Sequence, residues 1–339
     1  MKRVEVAIVG GGPAGASCAI ELAKNGVYPT IFDHSHPREK PCGGGITAQV
    51  VKNFPFLAPF RSKGFTVPDL RIISYNGIQM VTKNTIYDFC VSRMLFDQGI
   101  LGMALEKGAK LVAEKVLDAK KTESGWKIRT DNDSYSAEIL VGADGVNSIV
   151  RRKTVGPISK DNLALAFGYR AISHENVQAT IKFLSETQGY IWVFPGKNYV
   201  NIGIGGGLNC GSILKRILDD FLHSYYPGTE IISNYAALLP SAETPEFFSL
   251  PCSGKDWILV GDAAGHVDST TGEGLFYALS GGRLAALAIR ENSANSYDDM
   301  WRKEYGQTLI RSAKKKAVFF DPVWSTISIL IAKARKELS

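Results

Sequence analysis

The chain has 339 residues, of which 45% are hydrophobic, and a formal net charge of +6 at pH 7. This length and composition predict one large domain or two interlocked domains, and they exclude a disordered protein. The charge is mild and basic residues gather only near the C-terminus, so no nucleic-acid partner is expected.

The five cysteines are scattered along the chain, and none forms a Cys-x-x-Cys pair. This argues against a disulfide framework and against a zinc site, and no metal is predicted. We therefore expect a reducing, cytoplasmic setting. Residues 2–5 are mostly charged and lead directly into a strand-like run, which argues against a signal peptide. No run reaches the roughly 18 apolar residues that span a bilayer.

A short apolar run at residues 4–9 ends in the glycine-rich stretch 10–15 and continues into a helix-like stretch at 16–23. This order predicts a buried strand, a tight turn and a helix, which is the arrangement of a dinucleotide-binding turn. The helix begins at Pro13 and Ala14, and although Pro13 has no N–H of its own, the N-terminus supplies free N–H groups and the positive end of a dipole for phosphates.

The glycine spacing in this turn has a physical meaning. Gly10 lets the strand reverse, Gly12 lets the backbone approach a pyrophosphate, and Gly15 lets the helix pack close to the strand. A second apolar run, 27–32, then ends in Asp33, near the distance at which an acidic residue meets an adenosine ribose. An acid at this position disfavours a 2′-phosphate, so FAD or NAD is favoured over NADP.

Residues 34–45 carry two prolines and three consecutive glycines, Gly43, Gly44 and Gly45. Such a stretch predicts a loop whose backbone comes very close to another group, and in a nucleotide-binding protein that group is the cofactor. A surface linker is the alternative. Cys42 is either a redox or proton-donating thiol or a small buried residue.

The next segment predicts a helix at 92–105, where Arg93 either reaches the cofactor or lies on the surface. A Gly-Ala-Asp-Gly run at 142–145 then follows a strand, so Asp144 marks either a second approach to the cofactor or an ordinary turn. Short strands are predicted at 111–119, 126–130 and 136–141.

The following region alternates between short strands and turns. In the strand at 189–194 a period of two places Tyr190, Trp192 and Phe194 on one face, with Ile191 and Val193 on the other. Three adjacent aromatic side chains form either ordinary sheet core or the wall of an apolar binding cavity. The strands of this region are predicted at 164–172, 179–184, 189–194 and 200–205.

A second glycine motif follows a predicted strand at 257–260 and precedes a predicted helix at 275–289. An extended FAD is too long for one glycine turn to hold, so a second turn is expected. Asp262, after Gly261, is the natural acceptor for a ribityl hydroxyl, either directly or through water. Gly272 and Gly274 would place a helix N-terminus beside the isoalloxazine. This second motif favours FAD over NAD.

Taken together, these motifs resemble the FAD-dependent geranylgeranyl reductase family, within the wider superfamily of p-hydroxybenzoate hydroxylase-like flavoproteins. The resemblance covers nearly the whole chain and implies an α/β fold. In that fold a Rossmann-like FAD-binding domain is interleaved with an antiparallel β-sheet substrate domain and followed by a C-terminal helical tail. The segments that carry the resemblance are 10–15, 40–45, Arg93 with Phe96 and Asp97, 142–145, 190–195 and 261–274.

The resulting division of the chain is discontinuous. The FAD-binding domain is expected at 1–55, 85–160 and 252–300, the substrate domain at 56–84 and 161–251, and the helical segment at 301–339.

The resemblance implies reduction of carbon–carbon double bonds in isoprenoid chains by hydride from reduced flavin. It also implies that Cys42 and the glycines after it lie at the flavin face, with Cys42, Gly44 and Gly45 in the catalytic site. The expected substrate-binding residues are Tyr190, Trp192 and Phe194. The expected cofactor-binding residues are Gly10, Gly12, Pro13, Ala14, Gly15, Asp33, Cys42, Gly43, Gly44, Arg93, Asp144, Gly261, Asp262, Gly272 and Gly274.

Only one full dinucleotide turn is present, so we expect the electron donor, NAD(P)H or a redox protein, to visit transiently. The substrate is expected to be an apolar small molecule or lipid. An NAD(P)H-dependent flavin monooxygenase acting on an aromatic ring is one alternative, and a non-catalytic flavin-binding protein of the membrane surface is another.

The C-terminal tail is apolar at 317–332 and has basic residues on both sides. An Asp-Pro break at 321–322 and its short length exclude a membrane span. Residues 314–336 either make peripheral membrane contact, which suits a lipid substrate, or dock on the core of the protein.

Overall fold

The computed structural model describes residues 1–83, 86–172, 177–323, 326, 327 and 330. The chain divides into two compact units. Unit 1 contains Met1–Arg38, Met94–Asn162 and Pro240–Lys314, and unit 2 contains Glu39–Arg93, Leu163–Leu239 and Lys315–Ser339. Residues 39–55, which we expected in the FAD-binding domain, cluster with unit 2. The assignment of a function to each domain stays a prediction.

The α-helices and β-strands have the following bounds. The helices are α1 (Pro13–Ala23), α2 (Ala48–Asn53), α3 (Arg93–Glu106), α4 (Ile149–Thr154), α5 (Gly211–Tyr225), α6 (Leu275–Arg290), α7 (Tyr297–Trp301) and α8 (Gln307–Phe319). The strands are β1 (Lys2–Val9), β2 (Thr30–Phe32), β3 (Gly45–Thr47), β4 (Phe65–Thr66), β5 (Asp69–Ile73), β6 (Gln79–Lys83), β7 (Tyr87–Cys90), β8 (Lys110–Val112), β9 (Val116–Thr122), β10 (Gly125–Thr130), β11 (Ser134–Gly142), β12 (Leu163–Ile172), β13 (Ala179–Phe183), β14 (Tyr190–Pro195), β15 (Tyr199–Gly207), β16 (Ile231–Pro240) and β17 (Trp257–Leu259).

Unit 1 is built on a sheet with the strand order β8-β2-β1-β11-β10-β9, in which β17 also pairs with β11. Strands β8, β2, β1, β11 and β17 run parallel, whereas β9 and β10 form an antiparallel hairpin. Residues 6–9 of β1 are buried without interruption, as expected for a parallel strand covered on both faces. This mixed α/β architecture confirms the fold class.

The register of this sheet aligns the carboxyl ends of four strands. Val9 of β1 pairs with Phe32 of β2 and with Gly142 of β11, and Gly142 pairs with Leu259 of β17. The loops that follow these strands therefore leave the sheet at one edge. In open α/β sheets, ligands bind at this edge.

Unit 2 contains a larger sheet, β16-β12-β15-β14-β13-β5-β6, and a small sheet, β3-β7-β4. On one face of the larger sheet, Ile191 and Val193 pack with Leu214 of α5. On the other face Trp192 and Phe194 are buried in a separate cluster. The predicted alternation of β14 is therefore confirmed. Strands β12, β15, β14 and β13 pair antiparallel in this order, as do β5 and β6, whereas β13 and β5 pair in parallel.

One strand prediction was wrong. The run 111–119 is divided between β8, which pairs in parallel with β2, and β9, which forms a hairpin with β10. The break falls at residues 113–115, and the Lys115 carbonyl accepts a hydrogen bond from the Asp131 N–H. An apolar run does not reveal that its two halves pair with different strands.

The C-terminal tail is helical in α8, up to Phe319, and the helix ends before the predicted Asp-Pro break. The ring of Phe319 packs against that of Phe183, with centroids 5.5 Å apart. Much of the remaining segment, namely residues 324, 325, 328, 329 and 331–339, lies outside the described residues. Within the described part of the chain, no helix combines the length and apolar character that crossing a membrane requires.

Candidate functional site

The first glycine turn has the geometry that its spacing predicts. Gly10 has a φ of 102°, and a Cβ on it would lie 2.3 Å from the Ala143 carbonyl oxygen. A Cβ on Gly15 would lie 2.0 Å from the Gly10 carbonyl oxygen, so neither position tolerates a side chain. Gly12 differs, because apart from its two chain neighbours no atom of the described residues lies within 4 Å of the place its Cβ would take. The turn packs tightly against backbone at Gly10 and Gly15 and leaves space at Gly12. This is the arrangement that lets a pyrophosphate approach the backbone.

Helix α1 begins directly after this turn. Pro13 is its first residue and Gly12 precedes it, so no side chain caps this end of the helix. Uncapped N–H groups and the positive end of the helix dipole favour an anion here. The N-terminus of α1 thus fits the phosphates of a dinucleotide.

Asp33 stands beside the turn, at the carboxyl end of β2. Its Oδ2 accepts a hydrogen bond of 2.6 Å from the Gly11 N–H, and its Oδ1 accepts bonds from the backbone and hydroxyl of Ser35. His36 Nδ1 lies 3.1 Å from Oδ2. Burial alone would raise the pKa of Asp33, but the nearby His36 and hydrogen bonds from Ser35 and Gly11 hold it well below its usual range. The carboxylate is therefore ionised and fixed in place, as an acceptor for ribose hydroxyls requires.

The other two motifs of unit 1 meet the first turn. A Cβ on Gly10 would stand 3.0 Å from the Asp144 backbone nitrogen, and one on Gly261 would stand 3.0 Å from the Ala14 side chain. Farther along the second motif, a Cβ on Gly274 would lie 3.4 Å from Asp262 Oδ1. Three motifs distant in sequence are thus brought together, and Gly272, with a φ of 70°, reverses the chain before α6 begins.

Asp144 has a local structural task. Its Oδ1 accepts a hydrogen bond from the Ser148 hydroxyl, and its Oδ2 accepts one of 2.6 Å from the Ile149 N–H at the start of α4. Burial raises the pKa of Asp144, although these hydrogen bonds act in the opposite direction. The side chain therefore shapes the turn after β11, whereas a direct contact with the cofactor stays a prediction.

The glycine loop after Cys42 lies in unit 2, and the protein's own atoms fill the space beside each glycine. A Cβ on Gly43 would lie 2.6 Å from the Phe194 ring, and one on Gly45 would lie 2.9 Å from the Tyr87 ring. Gly44 has a φ of 80°, and its Cβ would lie 2.5 Å from the Val91 carbonyl oxygen. The close approach that we expected therefore occurs with aromatic side chains and backbone, and cofactor contact by this loop stays a prediction.

A cavity of about 130 Å³ borders this loop. Cys42 is partly exposed, and its Sγ lies 3.5 Å from the Gly44 nitrogen, whose N–H donates to it. The residues that line the cavity include Cys42, Gly44, Arg170, Tyr199, Asn201 and Tyr235. A thiol at a polar cavity is in a position to exchange a proton with water.

The charged side of the cavity is organised by Glu39. Its Oε2 accepts hydrogen bonds from the Ser92 hydroxyl and from Arg170 Nη1, the latter at 2.7 Å, and its Oε1 accepts one from the Arg93 N–H at the start of α3. The Arg170 guanidinium also lies 3.8 Å above the Tyr199 ring. The Arg93 side chain is buried, and its predicted approach to the cofactor remains untested.

Sequence reasoning missed a buried cluster next to the second glycine turn. His266 Nε2 lies 3.6 Å from Cys252 Sγ, and its Nδ1 lies 3.1 Å from the Tyr305 hydroxyl. Burial lowers the pKa of His266 to about 3 and raises the pKa of Cys252 to about 12. Both groups are therefore neutral at pH 7, and the cluster is a structural support of unit 1.

Sequence reasoning also missed Asn201 and Tyr235. Asn201 donates from Nδ2 to the Cys42 carbonyl, at 3.0 Å, and accepts from the Tyr235 hydroxyl and from the Trp192 indole N–H. One signal was available, because an asparagine in the middle of an apolar and glycine-rich strand needs buried partners. Nothing in the sequence indicates that Cys42 is one of those partners.

Comparison with known proteins agrees with this geometry. The model of the pyridine nucleotide-disulphide oxidoreductase family matches residues 4–178. A geranylgeranyl diphosphate reductase of Rhodobacter capsulatus is 30% identical over 314 residues, which cover 84% of this chain and 75% of the relative. A digeranylgeranylglycerophospholipid reductase of Methanoculleus marisnigri is 29% identical over 99% of this chain and 92% of its own.

The fold has a solved counterpart. A geranylgeranyl bacteriochlorophyll reductase-like protein of Thermoplasma acidophilum matches with a TM-score of 0.81 and 24% identity, over 94% of this chain and 88% of its own, a likeness that shows the fold alone. Family membership is shown by the sequence, through the family match at residues 4–178 and the Rhodobacter relative. The chain therefore belongs to the geranylgeranyl reductase family of FAD-dependent oxidoreductases.

Proposed function

We propose that this enzyme reduces carbon–carbon double bonds of an apolar, prenyl-lipid-like substrate, with Cys42 as the acid that completes the reduction. The observation that carries the proposal is the packing of the Cys42 loop against the aromatic face of β14, beside a cavity that contains polar groups. Reduction of an unactivated alkene requires an apolar wall and a proton source. In this enzyme the wall is β14, and the proton source lies on the loop that packs against it.

The aromatic face supports an apolar substrate. Trp192 and Phe194 are buried, whereas Tyr190 is partly exposed. The Tyr190 ring lies edge-on to Trp192, and the Phe194 ring lies edge-on to Tyr87, with centroids 6.1 Å and 4.8 Å apart. Such a wall excludes water and binds hydrocarbon by burial of its surface. We assign Tyr190, Trp192 and Phe194 to the substrate site.

The names of two relatives support the same substrate class. The Rhodobacter protein is described as a reductase of geranylgeranyl diphosphate, and the Methanoculleus protein as a reductase of a digeranylgeranylglycerophospholipid. Both substrates carry long polyprenyl chains, while their polar heads differ. We therefore propose that this enzyme acts on a polyprenyl chain, and we propose no particular head group.

FAD held at the glycine turns of unit 1 would, when reduced, supply hydride chemistry, that is, two electrons and one proton for one alkene carbon. The Cys42 thiol donates a proton to the other carbon, so that the double bond becomes a saturated bond. The Gly44 N–H donates to Sγ and helps to hold the side chain in place. The thiolate then takes a proton from water, and NAD(P)H or a redox protein restores the electrons.

The cofactor residues have separate tasks in this proposal. The backbone at Gly10, Gly12 and Gly15 and the N-terminus of α1 hold the pyrophosphate, and Asp33 holds the ribose. Asp262 accepts from the ribityl chain. Peripheral membrane contact through residues 314–336 would suit a lipid substrate, and it stays a prediction because part of that segment lies outside the described residues.

The test is an anaerobic reaction of the FAD-loaded enzyme, reduced with dithionite, with a geranylgeranyl lipid. We expect the flavin to become reoxidised without oxygen and a product heavier by two hydrogens for each reduced bond, observed by mass spectrometry. A saturated lipid of the same length is the matched control and should leave the flavin reduced.

Other outcomes would replace the proposal. If the flavin stays reduced with every alkene but is reoxidised by oxygen faster when an aromatic compound is present, the enzyme is a monooxygenase. If the flavin is bound but neither alkenes nor aromatic compounds affect it, and the protein associates with lipid vesicles, the membrane-surface alternative holds.

A further inference from the structure

We propose that Asn201 is a positioning residue that holds the Cys42 loop in its reactive geometry through a single hydrogen bond to the Cys42 carbonyl. This inference rests on the proposed function of Cys42. Nothing in the motifs pointed to Asn201, which lies in β15, more than 150 residues after the loop.

The orientation of the Asn201 amide is determined by its neighbours. The indole N–H of Trp192 is only a donor and lies 2.8 Å from one amide atom, so that atom is the oxygen. The Tyr235 hydroxyl donates to the same oxygen at 2.7 Å. The amide nitrogen is consequently directed to the Cys42 carbonyl, at 3.0 Å. Each partner restricts the side chain to this one arrangement.

The Gly44 carbonyl accepts from the Val91 N–H and Gly45 pairs with Cys90, and these contacts hold the backbone after Cys42 rather than the Cys42 carbonyl. Glycines occupy the three positions after Cys42, so no side chain of its own sequence anchors that part of the loop. Its glycines pack against Phe194 and Tyr87, which limits movement toward those rings but does not define the height of Cys42 above them. A directed hydrogen bond from a buried donor does define it.

Burial makes this bond effective. Asn201 is 7% exposed, and the atoms it binds belong to three different strands or loops. A buried amide that loses a partner keeps its desolvation cost, so the arrangement with all bonds formed is strongly favoured. The indole of Trp192, a residue of the aromatic wall, is held by the same amide. The wall and the acid are thereby placed relative to each other by one side chain.

Three substitutions separate this role from a general structural one. Asn201→Asp keeps the acceptor for Trp192 and Tyr235 but replaces the donor to Cys42 with an ionised oxygen. Asn201→Leu has nearly the same shape and removes every bond. Tyr235→Phe removes one bond to the amide oxygen and leaves the Cys42 bond intact, so it is the matched control.

Two measurements follow. Peptide hydrogen exchange over residues 40–46 should become at least about tenfold faster in both Asn201 variants and should change much less in Tyr235→Phe, which keeps the donor to the Cys42 carbonyl. Alkene-driven reoxidation of the reduced flavin should slow by about 10²-fold in both Asn201 variants, because small misplacements of a reacting group have effects of that size. Reoxidation by oxygen should match the native enzyme in both Asn201 variants, whereas their thermal midpoints should fall because each variant leaves buried polar groups without a partner.

The pH profile adds a signature of positioning. A protonated aspartic acid has an O–H that can donate to the Cys42 carbonyl, so Asn201→Asp should recover both slow exchange and alkene reduction as the pH falls. Asn201→Leu has no group to protonate and should not recover.

Two results would overturn the inference: unchanged exchange in both Asn201 variants, or equal losses in Tyr235→Phe and Asn201→Asp. If the native enzyme reduces no alkene, the proposed function fails, and the exchange measurement still decides the role of Asn201.

Discussion

The turn at residues 10–15 and the loop at residues 43–45 are both rich in glycine, but different neighbours exclude a side chain from each. In the turn, Gly10 and Gly15 face backbone carbonyls of unit 1, and Gly12 faces open space. In the loop, Gly43 and Gly45 face aromatic rings and Gly44 faces the Val91 carbonyl. The turn leaves room for a ligand, whereas the loop is shaped by distant parts of its own unit.

This difference affects what each segment depends on. The turn is a local device of strand, glycines and helix, and its function is carried by the backbone. The loop depends on β7, β14, β15 and β16, and its function is carried by the Cys42 side chain. We therefore expect substitutions in the turn to act on folding and FAD binding, and substitutions around the loop to act on the alkene reaction.

The largest expected effect concerns cysteine reactivity. Cys42 and Cys210 are partly exposed, whereas Cys18, Cys90 and Cys252 are buried. Burial raises the pKa of the latter three thiols, so they are neither accessible nor ionised in the native protein. We expect Cys42 and Cys210 to react with iodoacetamide at least about 10³-fold faster than the buried three, which should react only through opening of the fold.

Peptide mass spectrometry of the native protein over time measures these rates. Full unfolding in urea should make all the cysteines equally reactive, which is the control. Rapid alkylation of Cys252 in the native protein would contradict the description of its cluster with His266 as a closed structural support.

The next effect concerns the closed side of the turn. Gly15→Ala introduces a Cβ at 2.0 Å from a backbone oxygen, so it should lower the free energy of unfolding by at least about 3 kcal/mol or prevent folding. Gly102→Ala in α3 is the matched control, since its Cβ would meet no described atom within 4 Å beyond its own stretch of helix. It should raise stability by about 1 kcal/mol. Urea unfolding monitored by circular dichroism measures both, and a stable Gly15→Ala protein would contradict the close packing of α1.

The open side of the turn should respond differently. Gly12→Ala places a methyl group where no protein atom lies, so the FAD-free protein should keep its stability. FAD should bind about 100-fold more weakly, because the backbone can no longer approach the pyrophosphate. Fluorescence titration of FAD measures the affinity. Unchanged affinity would mean that the cofactor does not lie over Gly12.

The same difference between the turn and the loop decides which features could be predicted from the sequence. The turn, Asp33 and the second glycine motif were predicted because strand, glycine and helix signals are local, and the sheet register brings them to one edge. The three glycines after Cys42 were recognised, but their partners, Phe194 and Tyr87, could not be identified. Those contacts depend on how strands far apart in sequence pair.

The polar support of the loop was beyond prediction for the same reason. Asn201 and Tyr235 belong to strands β15 and β16, and no spacing rule connects either of them to Cys42. His266 was passed over because a histidine next to a glycine turn gives no indication of its burial. Sequence periodicity did predict the two faces of β14, since alternation within one strand needs no knowledge of its neighbours.

The smallest expected effect concerns the charge of Asp33. Because its pKa in the folded protein lies below the ordinary value of 3.8, the ionised carboxylate stabilises the fold above about pH 4, and this contribution is lost as the pH falls below that value. Asp33→Asn should lower the free energy of unfolding by about 1–2 kcal/mol at neutral pH, because a neutral amide accepts weaker hydrogen bonds from Gly11 and Ser35 than a carboxylate does. The difference in the free energy of unfolding between the two proteins, measured by urea unfolding at each pH, should shrink on acidification. A difference that grows instead would contradict the lowered pKa of Asp33.

The central claim is that Cys42 supplies the proton, and the most direct test is to measure its substitution by serine in separate half-reactions. For Cys42→Ser we expect alkene-driven reoxidation of the reduced flavin to slow by about 10²-fold or more, because a hydroxyl is a far weaker acid than a thiol. FAD content, reduction by dithionite and reoxidation by oxygen should equal those of the native enzyme. An alkene reaction as fast in Cys42→Ser as in the native enzyme would contradict the account and assign the proton to water.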